Sequence, residues 1–378
     1  MLRKQAVLTD FHILRPKHET PQEQSSKWFI KAHVKAEEVL GNKSPKELKE
    51  FKKYIREKIE KVCCKPHQVS KRGHNLDDFL HDDWEKMDIF NLDKHPEGKN
   101  LSHRSKLYRT LVNDLFDQFY KEEKVAPNDI IHVSCTGYTS PSGAQTLCSK
   151  KNWDSTITHA YHMGCYAAIP AIRMGCGFLK TNSDHRCDIV HTELCSLHPN
   201  PSKHELDQLV TQSLFADGYI RYSIKEHSNK PHLKIITTKE KIIPDSTSSM
   251  TWDVHDWGFQ MHLAKEIPVL ITKSIKQYLE EFFSKAQLTS EEQKNILYAV
   301  HPGGPKILDY IKKLLDLKDN QIQPSYDILY EYGNMSSATL PHVWDKILKE
   351  NPNNPYIVSL AFGPGLTIAG CILKKEES

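Results

Sequence analysis

Apolar residues recur at helical spacing in four stretches of the 378-residue chain. Around Leu48, Phe51, Tyr54, Ile55, Ile59 and Val62 they fall three and four apart, which turns them to one face of a helix. The spacing returns at Leu107, Leu111, Leu115, Phe116 and Phe119, and at Ile271, Ile275, Tyr278, Leu279 and Phe282. A shorter helix is predicted from Lys306 to about Leu315, with Ile307, Leu308, Ile311, Leu314 and Leu315 facing inward. Other runs are brief and almost continuously apolar: 129–134, 187–194, 233–238, 296–301 and 356–362. These predict strands buried on both faces or nearly so. The last leads into Gly363-Pro364-Gly365, a turn-forming tripeptide that predicts a hairpin with 366–374.

Strands interleaved with long helices predict an α/β fold in which helices cover sheets. No repeat of 20–50 residues is visible. The chain divides near residue 220, with 1–220 and 221–378 each reading as one αβ half. Composition adds little but excludes much. Apolar residues make up 38% and charged residues 26%, as in globular enzymes, and no run approaches the roughly 18–20 apolar residues of a membrane span. Met1-Leu2-Arg3-Lys4-Gln5 leads into no apolar signal core, and nine cysteines at irregular spacing favour reduced thiols. The expectation is a cytoplasmic protein. A net charge of +3 is too weak to imply nucleic-acid binding, although residues 43–65 carry a local basic run.

Candidate chemistry begins at Ile157–Pro170. Its β-favouring start gives way to Gly164-Cys165-Tyr166-Ala167-Ala168. Gly164 permits a tight turn, and the alanines let a following helix pack closely. Cys165 would then stand at a helix N-terminus, where free N–H groups and the dipole favour a thiolate. A buried small hydrophobe is the plainer reading of any single cysteine. Metal binding by His159, His162 and Cys165, spaced by three, lacks a fourth ligand. Tyr298-Ala299-Val300-His301-Pro302-Gly303-Gly304-Pro305 puts His301 at a strand end before a Pro/Gly loop. Tyr332-Gly333-Asn334-Met335-Ser336-Ser337-Ala338 puts Asn334 before a Ser-rich helix start, where an N-cap is the plainer reading.

Together these segments resemble the type III polyketide synthases, the chalcone synthase group on the thiolase fold. The resemblance implies a layered αβαβα architecture of two αβ halves. It makes Cys165 the acyl-carrying nucleophile and His301 and Asn334 its catalytic partners. Leu214-Phe215-Ala216-Asp217-Gly218 resembles the segment whose phenylalanine guards the active-site entrance. Phe362-Gly363-Pro364-Gly365-Leu366 resembles the C-terminal glycine loop, giving Gly363 and Pro364 a place at the cavity. The implied reaction loads an acyl group from coenzyme A and extends it by decarboxylative condensation with malonyl-coenzyme A. An imidazolium at His301 would pair with the Cys165 thiolate. His301 and Asn334 would hold the developing enolate oxygen. No cofactor beyond the thioester substrates, no metal, and a homodimer are implied.

The basic run gains a meaning from this context. Lys58, Lys61 and Lys65 share a helical face if the helix persists, and they fall where the resembled family binds coenzyme A phosphates. Pro66 puts Lys65 at the margin. Three departures concern specificity. Met261 replaces a second gate phenylalanine, Trp252 stands where chalcone synthases usually have a cavity-lining glycine, and Pro141 stands where plant members place a methionine reaching the partner subunit. Starter, chain length and cyclisation are left open. The nearest alternative is a 3-oxoacyl-acyl-carrier-protein synthase III, against which the Gly-Gly-Pro after His301 argues. A catalytically silent partner subunit is the alternative of another class, and it would need none of the three residues.

Overall fold

The computed structural model describes residues 6–181, 184–350 and 356–377, so the N-terminal Met1–Gln5 lie outside the described residues. The first part of the chain comprises β1 (Ala6–Leu14), β2 (His18–Pro21), α1 (Gln22–Leu40), α2 (Pro45–Val62) and β3 (Lys71–His74). Next come α3 (Leu101–Phe119), β4 (Asp129–Ser134), α4 (Gly143–Lys151), β5 (Thr156–Tyr161), α5 (Ala168–Thr181), β6 (Cys187–Glu193), α6 (Leu206–Leu214) and β7 (Gly218–Lys225). The second part begins with β8 (His232–Ile242), β9 (Met250–His255), β10 (Gly258–Leu263), α7 (Ile267–Ala286) and α8 (Ser290–Lys294). It ends with β11 (Leu297–Val300), α9 (Pro305–Leu314), α10 (Asp319–Tyr332), α11 (Thr339–Glu350), β12 (Tyr356–Gly363) and β13 (Thr367–Glu376).

Nine strands connect in the order β11-β12-β13-β8-β1-β7-β6-β4-β5. The seam between halves is the short antiparallel contact of β1 with β8, at Ala6–Leu8. Outward from that seam the halves repeat one pattern. β1–β7 and β7–β6 are antiparallel and β6–β4 parallel. Likewise β8–β13 and β13–β12 are antiparallel and β12–β11 parallel. The two halves are therefore built alike, a relation invisible in the sequence. Their boundary is not at residue 220, which lies inside β7. Side chains on both sides of that point, Ile220 and Tyr222, belong to one core. The chain crosses between halves in the segment 226–231.

Layering follows from which faces are apolar. The middle helices α5 and α11 share a core with strands of both halves, through Ile169 and Ile172 on one and Val343 and Trp344 on the other. Small residues allow the approach: a Cβ on Gly175 would stand 2.6 Å from Ile224 Cδ1. Helices α1 to α3 cover one outer side, and α7, α9 and α10 the other, each over its own apolar cluster. The result is the expected αβαβα stack.

The predicted helices form with shifted faces. α2 starts at a capping box between Ser44 and Glu47 and buries Phe51, Ile55 and Ile59, while Tyr54 is exposed. α3 buries Tyr108 and Val112 rather than Leu107 and Leu111, which are half-covered. α7 buries the five positions its spacing indicated. None of the described helices is long and apolar enough to cross a membrane. All nine cysteines are free thiols.

Candidate active site

The repeated architecture sets the three candidate residues in loops that follow or precede corresponding elements of the two halves. Cys165 lies in the turn between β5 and α5, and Asn334 lies ahead of the corresponding helix α11. His301 ends β11, as Cys135 ends the corresponding β4, and its N–H donates to Leu360 O across the sheet at 2.7 Å. Gly164 has φ +82°, and a Cβ there would come 2.5 Å from Pro364 Cδ. A Cβ on Gly363 would strike the Tyr166 ring at 2.3 Å. Glycine is thus required on both faces of this contact. Gly363 and Pro364 press on the turn that carries Cys165, rather than lining the cavity beside it.

Cys165 Sγ lies 3.9 Å from Ser336 Oγ. Burial pushes its thiol up to about 12, against the opposite pull of the Ser336 hydroxyl and the Asn334 amide. Asn334 Oδ1 accepts from Ser336 N at 2.8 Å, so it also serves the capping role open to it in the sequence. Burial likewise lowers His301 to about 3. Burial thus favours the neutral thiol and the neutral imidazole over the charged forms. His301 is 1% exposed, yet neither ring nitrogen has a hydrogen-bond partner among the described residues. An unmade hydrogen bond at a buried polar atom costs about 1–3 kcal/mol, and such an exception requires a reason.

A cavity of about 70 Å³ reaches Gly164 and Ser336 and is walled by Phe215, Trp252, Phe259 and Met261. Of the lining residues, Phe259 and His198 were missed in the sequence reading. Phe259 stacks on His198 with ring centroids 4.5 Å apart. His198 accepts from Phe259 N at 3.1 Å and donates to Thr136 O at 2.7 Å, which assigns its tautomer. Trp252 is fixed by its Nε1–H, which donates to Cys135 O at 2.6 Å, and by its carbonyl, which accepts from His162 Nε2 at 2.8 Å. His159 turns elsewhere, to Ser142 Oγ at 3.0 Å, so the His-His-Cys spacing does not converge.

Glu193 is the other missed residue. It closes β6 with 0% exposure and accepts from Cys135 N at 3.0 Å, Thr136 Oγ1 at 2.9 Å and the Ser337 hydroxyl. Burial raises its carboxyl to about 7. A charged residue at the end of an apolar run was the available signal.

The lysines separate. α2 ends at Val62 with Cys63 as its C-cap, so Lys65 lies in a following turn where its N–H donates to Gln68 Oε1 at 3.0 Å. Lys58 and Lys61 remain on the helix, with Lys58 Nζ 5.3 Å from the Tyr54 ring centroid. The three-lysine helical face is therefore corrected to a pair plus a turn residue.

Two like halves, with a cysteine before one buried middle helix and an asparagine before the other, make a layered fold of the thiolase type. Residues 234–376 match the family described as chalcone and stilbene synthases, C-terminal domain. The chain is 33% identical over 218 residues to Probable polyketide synthase 1 of Dictyostelium discoideum, covering 56% of this chain and 7% of that protein. The fold matches the C-terminal type III polyketide synthase domain of Steely1, a type I/III hybrid from Dictyostelium. That match has TM-score 0.82 and 24% identity, over 98% of this chain and 99% of the other. PKS-I from the brown alga Ectocarpus siliculosus matches with TM-score 0.82 and 19% identity, over 98% of each chain. Residues 234–376 thus resemble the C-terminal domain of that family, and the chain spans about 7% of the length of the curated relative it matches.

Proposed function

We propose that the chain loads an acyl group from coenzyme A onto Cys165 and lengthens it with malonyl-coenzyme A. The single observation carrying this is the buried Cys165 beside Ser336 and Asn334, at the matching ends of two repeated halves. In the loading step a neutral His301 takes the thiol proton as sulfur attacks the thioester carbonyl, and returns it to the departing coenzyme A thiol. In extension the malonyl carbon–carboxylate bond breaks, carbon dioxide leaves, and the electron pair spreads onto the thioester oxygen. The unpartnered His301 ring and the Asn334 amide supply donors for that oxygen. The enolate carbon then attacks the acyl–Cys165 carbonyl, forming the new bond and releasing the thiolate.

Lys58 and Lys61, with Lys65 from the turn, hold coenzyme A phosphates at the surface. Phe215 excludes water from the thioesters. A cavity of about 70 Å³ has room for on the order of five water molecules, which favours a short starter. The chain works as a cytoplasmic homodimer without a bound cofactor or metal, and cyclisation follows extension. Mass spectrometry of products from purified protein, acyl-coenzyme A and malonyl-coenzyme A tests the reading. Lengthened acyl products are expected, and their absence across short, medium and long starters would overturn it.

A further inference from the structure

The last turn of α6 ends at the gate residue Phe215, and the carbonyls of residues 212–215 are each answered by a group from a distant part of the chain. Helix ends leave such carbonyls without intrahelical donors. Arg72 Nη1 donates to Gln212 O at 2.6 Å and to Phe215 O at 2.9 Å. Gln22 Nε2 donates to Ser213 O at 2.8 Å. Asn334 N donates to Leu214 O at 3.0 Å, and Asn334 O accepts from Ala216 N at 2.8 Å. Phe215 and Asn334 are thus paired backbone to backbone. Gln22 and Arg72 are tied in turn, since Arg72 Nε donates to Gln22 Oε1 at 2.9 Å.

Arg72 is 7% exposed and forms no ion pair among the described residues. Its charge is met instead by the negative end of α6, a favourable place for a cation. The packing leaves no slack. A Cβ on Gly333 would stand 3.0 Å from Leu214 O and 3.2 Å from Arg72 Cγ, and Gly333 has φ +73°.

We propose that Arg72, supported by Gln22, is a positioning residue that fixes Phe215 and Asn334 relative to each other. The clamp couples the water-excluding gate to the group that holds the enolate oxygen, and its catalytic consequence rests on the function proposed above. A loosened clamp lets water reach the enolate. Protonation then gives the abortive acetyl thioester in place of the new carbon–carbon bond.

The test compares Arg72→Lys with Asp188→Asn, a buried polar change in β6 that touches Tyr120 and Ser223 and not α6. Arg72→Lys keeps the charge and loses the Nε contact to Gln22 and the planar guanidinium that sets Nη1 between two carbonyls. At matched folded fraction, acetyl-coenzyme A released per condensation is expected to rise about tenfold in Arg72→Lys and to stay unchanged in Asp188→Asn. The KM for acyl-coenzyme A should move less than twofold. Hydrogen exchange read by mass spectrometry supplies an arm independent of activity. The Ala216 and Asn334 amides should lose protection together in Arg72→Lys, and also in Gln22→Met. Unchanged exchange at both amides overturns the clamp. Faster exchange with an unchanged product ratio overturns its catalytic role. A wild type that makes no product, with the exchange result as expected, leaves the clamp standing and overturns only the synthase reading.

Discussion

Trp252 and Met261 stand opposite each other in the antiparallel hairpin of β9 and β10, and both face the cavity. The pair closes the wall that a glycine and a phenylalanine occupy in the resembled family. Trp252 is anchored through its indole N–H to Cys135 O, so its ring is held rather than free to swing aside.

Shortening that wall should lengthen the acyl groups accepted. Trp252→Leu keeps an apolar partner for Met261, and Trp252→Gly removes the partner altogether. Each buried methylene is worth about 0.8 kcal/mol. A starter two methylenes longer should therefore gain roughly tenfold in kcat/KM relative to wild type, with loading of Cys165 preserved. Product profiles across starter lengths, normalised to folded protein, provide the comparison. An identical profile in a folded variant would place the length limit elsewhere.

On the proposed function, Cys165 and its partners should separate by reaction step. Cys165→Ala is expected to lose condensation by at least about 10³-fold while still decarboxylating malonyl-coenzyme A slowly through His301 and Asn334. Asn334→Ala should lose decarboxylation and keep acylation of the cysteine. Intact-mass spectra and carbon dioxide release read the two steps independently. Acyl adducts surviving in Cys165→Ala would assign the nucleophile to another residue.

Local chemistry was legible in the sequence, whereas long-range pairing was not. His301 and Asn334 stand at a strand end and a helix start, and apolar runs and small residues mark those places without any tertiary information. The β9–β10 hairpin was legible by its period, since Met250, Trp252 and Val254 alternate with Thr251, Asp253 and His255, and Phe259, Met261 and Leu263 with Gln260 and His262, yet it went unread. α10 went unread because Pro324 lies inside it, and β1 because Asp10, with φ 54°, interrupts its pairing. The division at 220 failed for a different reason. β7 is continuous in composition, and only pairing with β1 and β6 fixes its limits. Gln22 and Arg72 grip residues 212–215 from 191 and 140 positions away, beyond any periodic signal.

The lysine surface gives a graded expectation. On the proposed function, Lys58→Ala with Lys61→Ala takes away two solvent-screened partners for coenzyme A phosphates, each worth up to about 1 kcal/mol. The KM for acyl-coenzyme A should rise roughly threefold to tenfold, with kcat nearly unchanged, and the difference should shrink in 0.5 M salt. Lys65→Ala, tested separately, should add a smaller increment because its turn is not continuous with the helix. A short thioester lacking the nucleotide should be used equally by all these variants. Equal losses on both substrates would mean that the face is structural.

Glu193 makes stability depend on pH in a direction opposite to that of a salt-bridged carboxylate. Burial lifts its carboxyl from an ordinary 4.5 to about 7, despite donors from Cys135, Thr136 and Ser337. Between those values the folded chain binds more protons than the unfolded chain. Stability is therefore full below pH 4.5 and falls as pH rises towards 7. The contribution is on the order of 3 kcal/mol, at about 1.4 kcal/mol per pKa unit. Asp217 is raised in the same direction by burial and acts alongside it. Glu193→Gln keeps the shape and removes the titration. Its oxygen can accept from Cys135 N and Thr136 Oγ1, and its amide can donate to Ser337 Oγ once that hydroxyl reverses. Thermal melts of wild type and Glu193→Gln should converge near pH 5 and separate by roughly 4 °C at pH 8, the variant being higher. Parallel curves across that range would mean that Glu193 is already ionised in the folded protein, its donors outweighing its burial.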